Sequence, residues 1–199
     1  MISARITSLE PSGYRRSPWK NGGGVTIDIV EANRAGHAPG DWAGLLWRFG
    51  RTAIVTPGPF SDLAGCDRAQ VVVRGEGLVL ELPEGEIDVR KAWAPVRFRG
   101  EDKITSRLES GPVEVVNLIA DRASLEIDLA VLSPGSERHC VAGTHFLYAA
   151  DGMASITIGG ESHRLAPEHA LRLDVSEATR ISQVAGARVL LASIMQRGA

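Results

Sequence analysis

The sequence predicts an all-β protein made of two similar β-roll halves with few or no helices, and three observations carry that reading. Turn signals recur at close intervals: Asn21-Gly22, Pro57-Gly58-Pro59, Gly75-Glu76-Gly77, Pro83-Glu84-Gly85, Gly111-Pro112, Pro134-Gly135, Asp151-Gly152, Gly159-Gly160 and Ala185-Gly186. Glycine and proline supply the backbone angles such turns need and interrupt helices. Between the turns lie runs rich in Val, Ile and Leu, with apolar and polar residues alternating over 124–129 and 154–158, as in strands with one buried face. The two halves also match when Gly77 is placed opposite Gly152. Strand 70–73, turn 74–77, strand 78–82 and strand 86–89 lead to Pro95-Val96-Arg97-Phe98 in the first half. Strand 146–149, turn 150–152, strand 153–158 and strand 162–165 lead to a Pro-led strand from Pro167 in the second, which is the signature of an internal duplication.

A Gly-Glu-Gly or Asp-Gly turn, an apolar strand and then a Pro-led strand resemble the second half of a cupin motif. The architecture this implies is a bicupin: two β-roll or jelly-roll halves, RmlC-like. Residues 1–122 form the N-terminal half, which carries the expected ligand pocket, and 123–199 form the C-terminal half, the two making one unit.

A chain of 199 residues, 44% hydrophobic and 23% charged, has the composition of a globular protein able to bury a sizeable core. Its formal net charge of -2, with no long Lys/Arg run, argues against nucleic acid as a partner. The absence of a long apolar stretch argues against membrane insertion, and the start Met1-Ile2-Ser3-Ala4-Arg5-Ile6 lacks a basic segment leading into an apolar run. A cytoplasmic location is expected. Cys66 and Cys140 are the two cysteines, too few for a disulfide framework and without zinc-site spacing, so both are read as reduced thiols.

The segment Pro18-Trp19-Lys20-Asn21-Gly22-Gly23-Gly24 sets an aromatic, a cation and an amide before three glycines that permit a ligand to lie against backbone. The same Asn-Gly signal also marks a plain surface hairpin. No P-loop is implied, since neither the following helix nor the P-loop lysine position is present.

Metal-binding cupins hold their ion with two histidines separated by one residue, a nearby carboxylate and a later histidine. That pattern is absent from His37, His139, His145, His163 and His169. His139, Cys140 and His145 fall near a cupin's ligand positions, but His145 opens an apolar strand and reads as a packed or surface histidine rather than a ligand. No metal and no other cofactor is expected.

The heptad combines with Trp47-Arg48-Phe49-Gly50, with the run from Gly58-Pro59-Phe60-Ser61 to Gly65-Cys66-Asp67-Arg68, with Phe98-Arg99-Gly100-Glu101-Asp102, and with the run from Gly111-Pro112 through Asn117 to Asp121-Arg122. Together these resemble the HutD/Ves family of bicupins, over about the first 120 residues. Gly50 stands where the family usually has serine, and Val115-Val116 stand where it has Asp-Phe before the asparagine. The resemblance implies a protein linked to histidine utilisation that binds a small metabolite such as formylglutamate or urocanate, with no known catalytic activity.

Strand alternation puts Arg48 and Gly50 on one side and Trp47 and Phe49 on the other. An inward Arg48 would be costly to leave unpaired and suits a ligand carboxylate. The expected ligand-binding set is Trp19, Lys20, Asn21, Gly22, Gly23, Arg48, Ser61 and Asn117. Each has a second reading. Arg48 is alternatively solvated or paired with Asp67 or Glu114; Lys20 is a solvated turn residue; Trp19 and Trp47 are core; Ser61 caps its turn. Ser61 or Cys66 as a nucleophile would need a histidine and an orienting acid, and His37 is the one histidine of the first half. The competing function is a cupin enzyme, an isomerase or hydrolase, using His139, Cys140 or His145. A third is an interaction protein, and a homodimer through a free sheet edge is compatible with the fold.

Overall fold

In the computed structural model, residues 4–18 and 24–198 are described. Their strands are β1 (Ala4–Leu9), β2 (Arg15–Pro18), β3 (Gly24–Asn33), β4 (Leu45–Ile54), β5 (Gly58–Pro59), β6 (Cys66–Arg74), β7 (Leu78–Leu82), β8 (Gly85–Val89), β9 (Val96–Arg99), β10 (Thr105–Leu108) and β11 (Val113–Asp121). They continue with β12 (Leu125–Leu132), β13 (Glu137–Cys140), β14 (Gly143–Tyr148), β15 (Ala154–Ile158), β16 (Glu161–Leu165), β17 (Ala170–Val175), β18 (Thr179–Gly186) and β19 (Val189–Gln196). The described helical residues form two three-residue 3₁₀ turns, Pro11–Gly13 and Trp42–Gly44. The protein is an all-β bicupin.

Two units divide the chain: Tyr14–Leu125, and Met1–Gly13 with Glu126–Ala199. The first contains a six-stranded sheet, β2-β3-β4-β11-β6-β9, and a four-stranded sheet, β5-β10-β7-β8. The second contains a five-stranded sheet, β1-β17-β14-β19-β12, and a four-stranded sheet, β13-β18-β15-β16. Adding eight to each label of β4-β11-β6-β9 and β5-β10-β7-β8 gives β12-β19-β14-β17 and β13-β18-β15-β16, so the two units repeat the same eight-strand plan. What differs is the added edge: the β2-β3 hairpin beside β4 in the first unit, and β1 beside β17 in the second.

Strand β1 lies early in the sequence but belongs to the second unit, not to an N-terminal half running from residue 1. It pairs antiparallel with β17, Ala4 opposite Val175 through Leu9 opposite Ala170. Ala4 and Ile6 pack on the core that contains Leu147, Leu171 and Leu173, covering an edge that would otherwise present unpaired amides.

The core of the first unit gathers Ile54, Val72, Leu78, Leu80, Val89 and Val113 among others, from both of its sheets. It fills one end of the roll. The β6–β7 turn that closes this core depends on Gly77, whose φ is +87° and whose hypothetical Cβ would lie 2.4 Å from Arg90 Cα. Gly77→Ala therefore combines left-handed strain with a clash against backbone, and is expected to cost about 2–4 kcal/mol. Urea denaturation checks this; a change within about 0.5 kcal/mol, the size of an ordinary surface effect, would contradict it.

Candidate functional site

Beyond the apolar end, the same roll of the first unit opens into a cavity of about 560 Å³. Its floor is the inward face of the six-stranded sheet, where side chains recur every second residue. Antiparallel register sets them in rows. Ile119 of β11 lies opposite Arg48 of β4 on one side and Arg68 of β6 on the other. In the next row Asn117 lies opposite Gly50 and Gln70, and Gly50 opposite Asp28, which pairs with Arg15. The third row, Thr26, Thr52, Val115 and Val72, grades into the apolar core. Gly50 permits the close approach of β3, because a Cβ there would fall 2.8 Å from the Ile27 carbonyl oxygen.

One wall is electrostatically closed. Arg48 is bonded to the Asp28 carboxylate through both Nε and Nη2. Arg15 reaches Asp28 at 2.7 Å and Glu31 at 3.0 Å, and Arg48 Nε lies 4.0 Å from Glu31. Burial raises the Asp28 carboxyl above its ordinary value, and the Arg48 and Arg15 guanidinium groups offset only part of this. The Trp42 ring lies 4.8 Å from the Arg48 guanidinium carbon. Trp42 is held by a loop in which the Asp41 side chain accepts from the Ala43 N–H and pairs with His37 at 2.7 Å, while the Gly40 N–H donates to Glu31.

The other wall is open in charge. Arg68 is 9% exposed and its guanidinium carbon lies 4.9 Å from the rings of both Phe60 and Phe98. Among the described residues no carboxylate pairs with it, its Nε has no hydrogen-bond partner, and burial pushes its pKa down to about 10. Beside it on β6, Gln70 is fully buried with neither amide atom bonded. Asn117 donates through Nδ2 to Thr52 Oγ1 at 3.5 Å, and its Oδ1 is unpaired. Each such group costs about 1–3 kcal/mol when left without a partner, and native proteins concentrate such costs where a ligand relieves them.

The structure brings Arg48, Ser61 and Asn117 to this one cavity. Arg48 points inward, but its partner is Asp28 rather than Asp67 or Glu114. Asp67 pairs with Arg122 at 3.3 Å, and Glu114 with Arg51 and Arg74. Ser61 stands exposed at the rim, and Trp47 is buried in a row that alternates with Arg48. Trp19, Lys20, Asn21, Gly22 and Gly23 lie outside the described residues. Sequence reasoning missed Arg68, Gln70 and Asp28. Arg68 and Gln70 interrupt the apolar run of β6 at alternate positions, and Asp28 interrupts that of β3; polar residues at inward positions are the signal that would have found them.

The second unit's residues do not converge in the same way. His139 is exposed on β13, whereas Cys140 points into the core and burial pushes its thiol up to about 11. His145, at the same distance before Gly152 as Gln70 before Gly77, is buried and fully bonded. Its Nε2–H donates to the Val141 carbonyl at 2.9 Å, so Nδ1 accepts from the Ser193 hydroxyl at 2.8 Å. Among the described residues no group of three or more His, Cys, Asp or Glu is placed to hold a metal. Burial lowers the His145 pKa, so its neutral form is favoured by folding. Stability is then constant above the unfolded value of about 6.5 and falls as pH drops below it, because the unfolded chain takes up the proton first. A His145→Gln variant is expected to show a flatter melting-temperature profile between pH 7 and 5 than the wild type; parallel profiles would contradict this.

Comparison with known proteins agrees with this architecture. The HutD family profile matches residues 11–191. An uncharacterised 21.2 kDa protein from the hutC 3' region of Pseudomonas putida is 28% identical over 195 residues, covering 98% of this chain and 100% of the relative. The structure of HutD from Pseudomonas fluorescens SBW25 is similar with a TM-score of 0.78 at 28% identity, over 98% of this chain and 100% of that one. A conserved protein of unknown function from Pseudomonas aeruginosa PAO1 is similar with a TM-score of 0.82 at 26% identity, over 96% of this chain and 98% of that one.

Proposed function

Because this chain belongs to the HutD family, which is associated with the histidine-utilisation locus, we propose that it binds a small carboxylate metabolite, formylglutamate- or urocanate-like, in the metal-free cavity of its first unit. Binding there modulates histidine utilisation in the cytoplasm. The observation that carries this reading is Arg68, a buried guanidinium facing the cavity with no acidic partner among the described residues. A carboxylate supplies the bidentate planar partner that such a group lacks, and the flanking Phe60 and Phe98 rings fix its plane. Arg48, already neutralised by Asp28, shapes the opposite wall.

Among the described residues that line the cavity, none is a histidine or cysteine. No helix of the described residues is long and apolar enough to cross a membrane. Calorimetric titration with formylglutamate and urocanate tests the proposal. Saturable binding of at least one acid, weakened by added salt or by loss of Arg68, is expected. No heat and no thermal stabilisation by either acid at millimolar concentration would contradict it.

A further inference from the structure

The outer strand of a sheet presents N–H and C=O groups that can template a further strand, and native proteins blunt such edges with charges and prolines. The first unit shows this blunting. Strand β9 closes one side of the six-stranded sheet; Pro95 directly precedes it, Arg97 and Arg99 stand exposed on it, and the Arg99 N–H donates to the Asp102 side chain at 2.8 Å. At the opposite side β2 carries Arg15 and Arg16 and ends in Pro18.

Strand β1 has none of these devices. It is the outer strand of the second unit's five-stranded sheet, with β17 as its one neighbour among the described strands. Its residues, Ala-Arg-Ile-Thr-Ser-Leu, include no proline and a single charge, and its register with β17 runs without a bulge. Alternate residues of an antiparallel strand bond to one side, so the remaining residues of β1 turn their N–H and C=O groups away from β17. Arg5, Thr7 and Ser8 are exposed, and Ala4 and Ile6 pack on the core of the second unit yet stay only partly buried. In the repeated plan β17 corresponds to β9; the second unit has, in place of a blunted edge, an added strand without blunting.

The sequence of β1 complements itself in one register. Two copies related by a twofold axis normal to the sheet pair antiparallel, and keeping both core-facing sides on one face requires partners of like alternation. With the axis at Ile6, that residue lies opposite the partner's Ile6, Arg5 opposite the partner's Thr7, and Ala4 opposite the partner's Ser8. An axis at Arg5 would set two guanidinium groups opposite one another, which is unfavourable. An axis at Thr7 would set Ile6 against a serine and part the two isoleucines. The Ile6 register joins them in an apolar cross-strand pair and removes their remaining exposed surface from water.

We propose that β1 is a self-association edge whose partner is a second copy of this chain, paired antiparallel through Ala4–Ser8 about Ile6 so that two five-stranded sheets become one. The pairing is short, which places it in the weak, concentration-dependent class of interfaces.

Sedimentation velocity of the intact protein from about 10 μM to 1 mM, a range in which small interfaces associate, tests this. A reversible monomer–dimer equilibrium is expected. Thr7 is exposed, so changing it leaves the core intact. Thr7→Arg sets a like charge against Arg5 on each side of the axis and should weaken the dimer at least about threefold, whereas Thr7→Glu sets an opposite charge there and should tighten it at least about threefold. Overall repulsion between chains would give the reverse signs, because the formal net charge is already -2. If Thr7→Arg does not fold, the wild-type series and Thr7→Glu decide. A monomer at every concentration, or shifts that are smaller or reversed, would overturn the proposal.

Discussion

An Arg68→Met variant is expected to melt at a higher temperature than the wild type while losing its affinity for carboxylates. The two effects have one cause. In the absence of ligand, Arg68 is buried among Phe60, Phe98 and the inward face of β6 with no carboxylate partner among the described residues. An uncompensated buried charge is costly, and replacing buried charges by apolar groups of similar volume commonly stabilises by about 1–4 kcal/mol. The lost cation–π contacts, about 1 kcal/mol or more for a desolvated pair of rings, reduce that gain, and the thioether of methionine recovers some contact with the aromatic rings. A net gain of about 1–2 kcal/mol should raise the melting midpoint by roughly 2–8 °C in a chain of this size. A lowered midpoint, or retained carboxylate binding, would show that Arg68 is structural.

Arg48 is expected to behave in the opposite way. Its guanidinium holds the Asp28 carboxylate, whose side chain is 2% exposed, so Arg48→Met strands a buried anion. Removing one partner of a buried pair costs about 3–5 kcal/mol, and the lower end applies because Arg15 still reaches Asp28 at 2.7 Å. The double variant Asp28→Leu/Arg48→Met should recover most of that loss, since neither charge is then left alone. Urea denaturation of the two single variants and the double variant measures the coupling. Additive losses, with no recovery in the double variant, would contradict the pairing. The two arginines flank the same residue, Ile119, yet opposite signs are expected for their removal because only one has a carboxylate.

Much of the fold was legible in the sequence, because duplication repeats the same turn chemistry and period-two pattern and lets each half check the other. The placement of β1 was not. Which sheet edge an opening strand joins is decided by long-range pairing, here Ala4–Leu9 along β17, and no local signal records it. Alternation placed Arg48 on the inward face, but its partner Asp28 comes from β3, whose register with β4 shifts between Asp28 and Val30. A sequence does not show which carboxylate such a bulge delivers. Arg68 and Gln70 were present in one of the segments that carried the family resemblance or directly beside it, yet each alone is an ordinary strand residue. Their convergence with Asn117 exists only in the cross-strand register of β6 and β11, and their lack of partners exists only in three dimensions.

The contrast between the two units gives that lack of partners its meaning. At matching places in the repeat, His145 and Ser193 satisfy one another in the second unit, while Gln70 and Asn117 of the first leave three polar atoms without partners. The second core is filled by side chains such as Leu147, Leu173 and Leu191; the first opens into the cavity. One copy of the roll closes over a filled core, and the other keeps polar groups without partners among the described residues.

A crystal structure of the protein grown with urocanate is the most direct test of the central claim that Arg68 is the carboxylate anchor. The carboxylate oxygens are predicted to lie about 2.7–2.9 Å from the Arg68 guanidinium nitrogens, the range of charge-assisted hydrogen bonds, between the rings of Phe60 and Phe98. Urocanate bound away from Arg68, or Arg68 paired with a carboxylate of the protein itself, would contradict it.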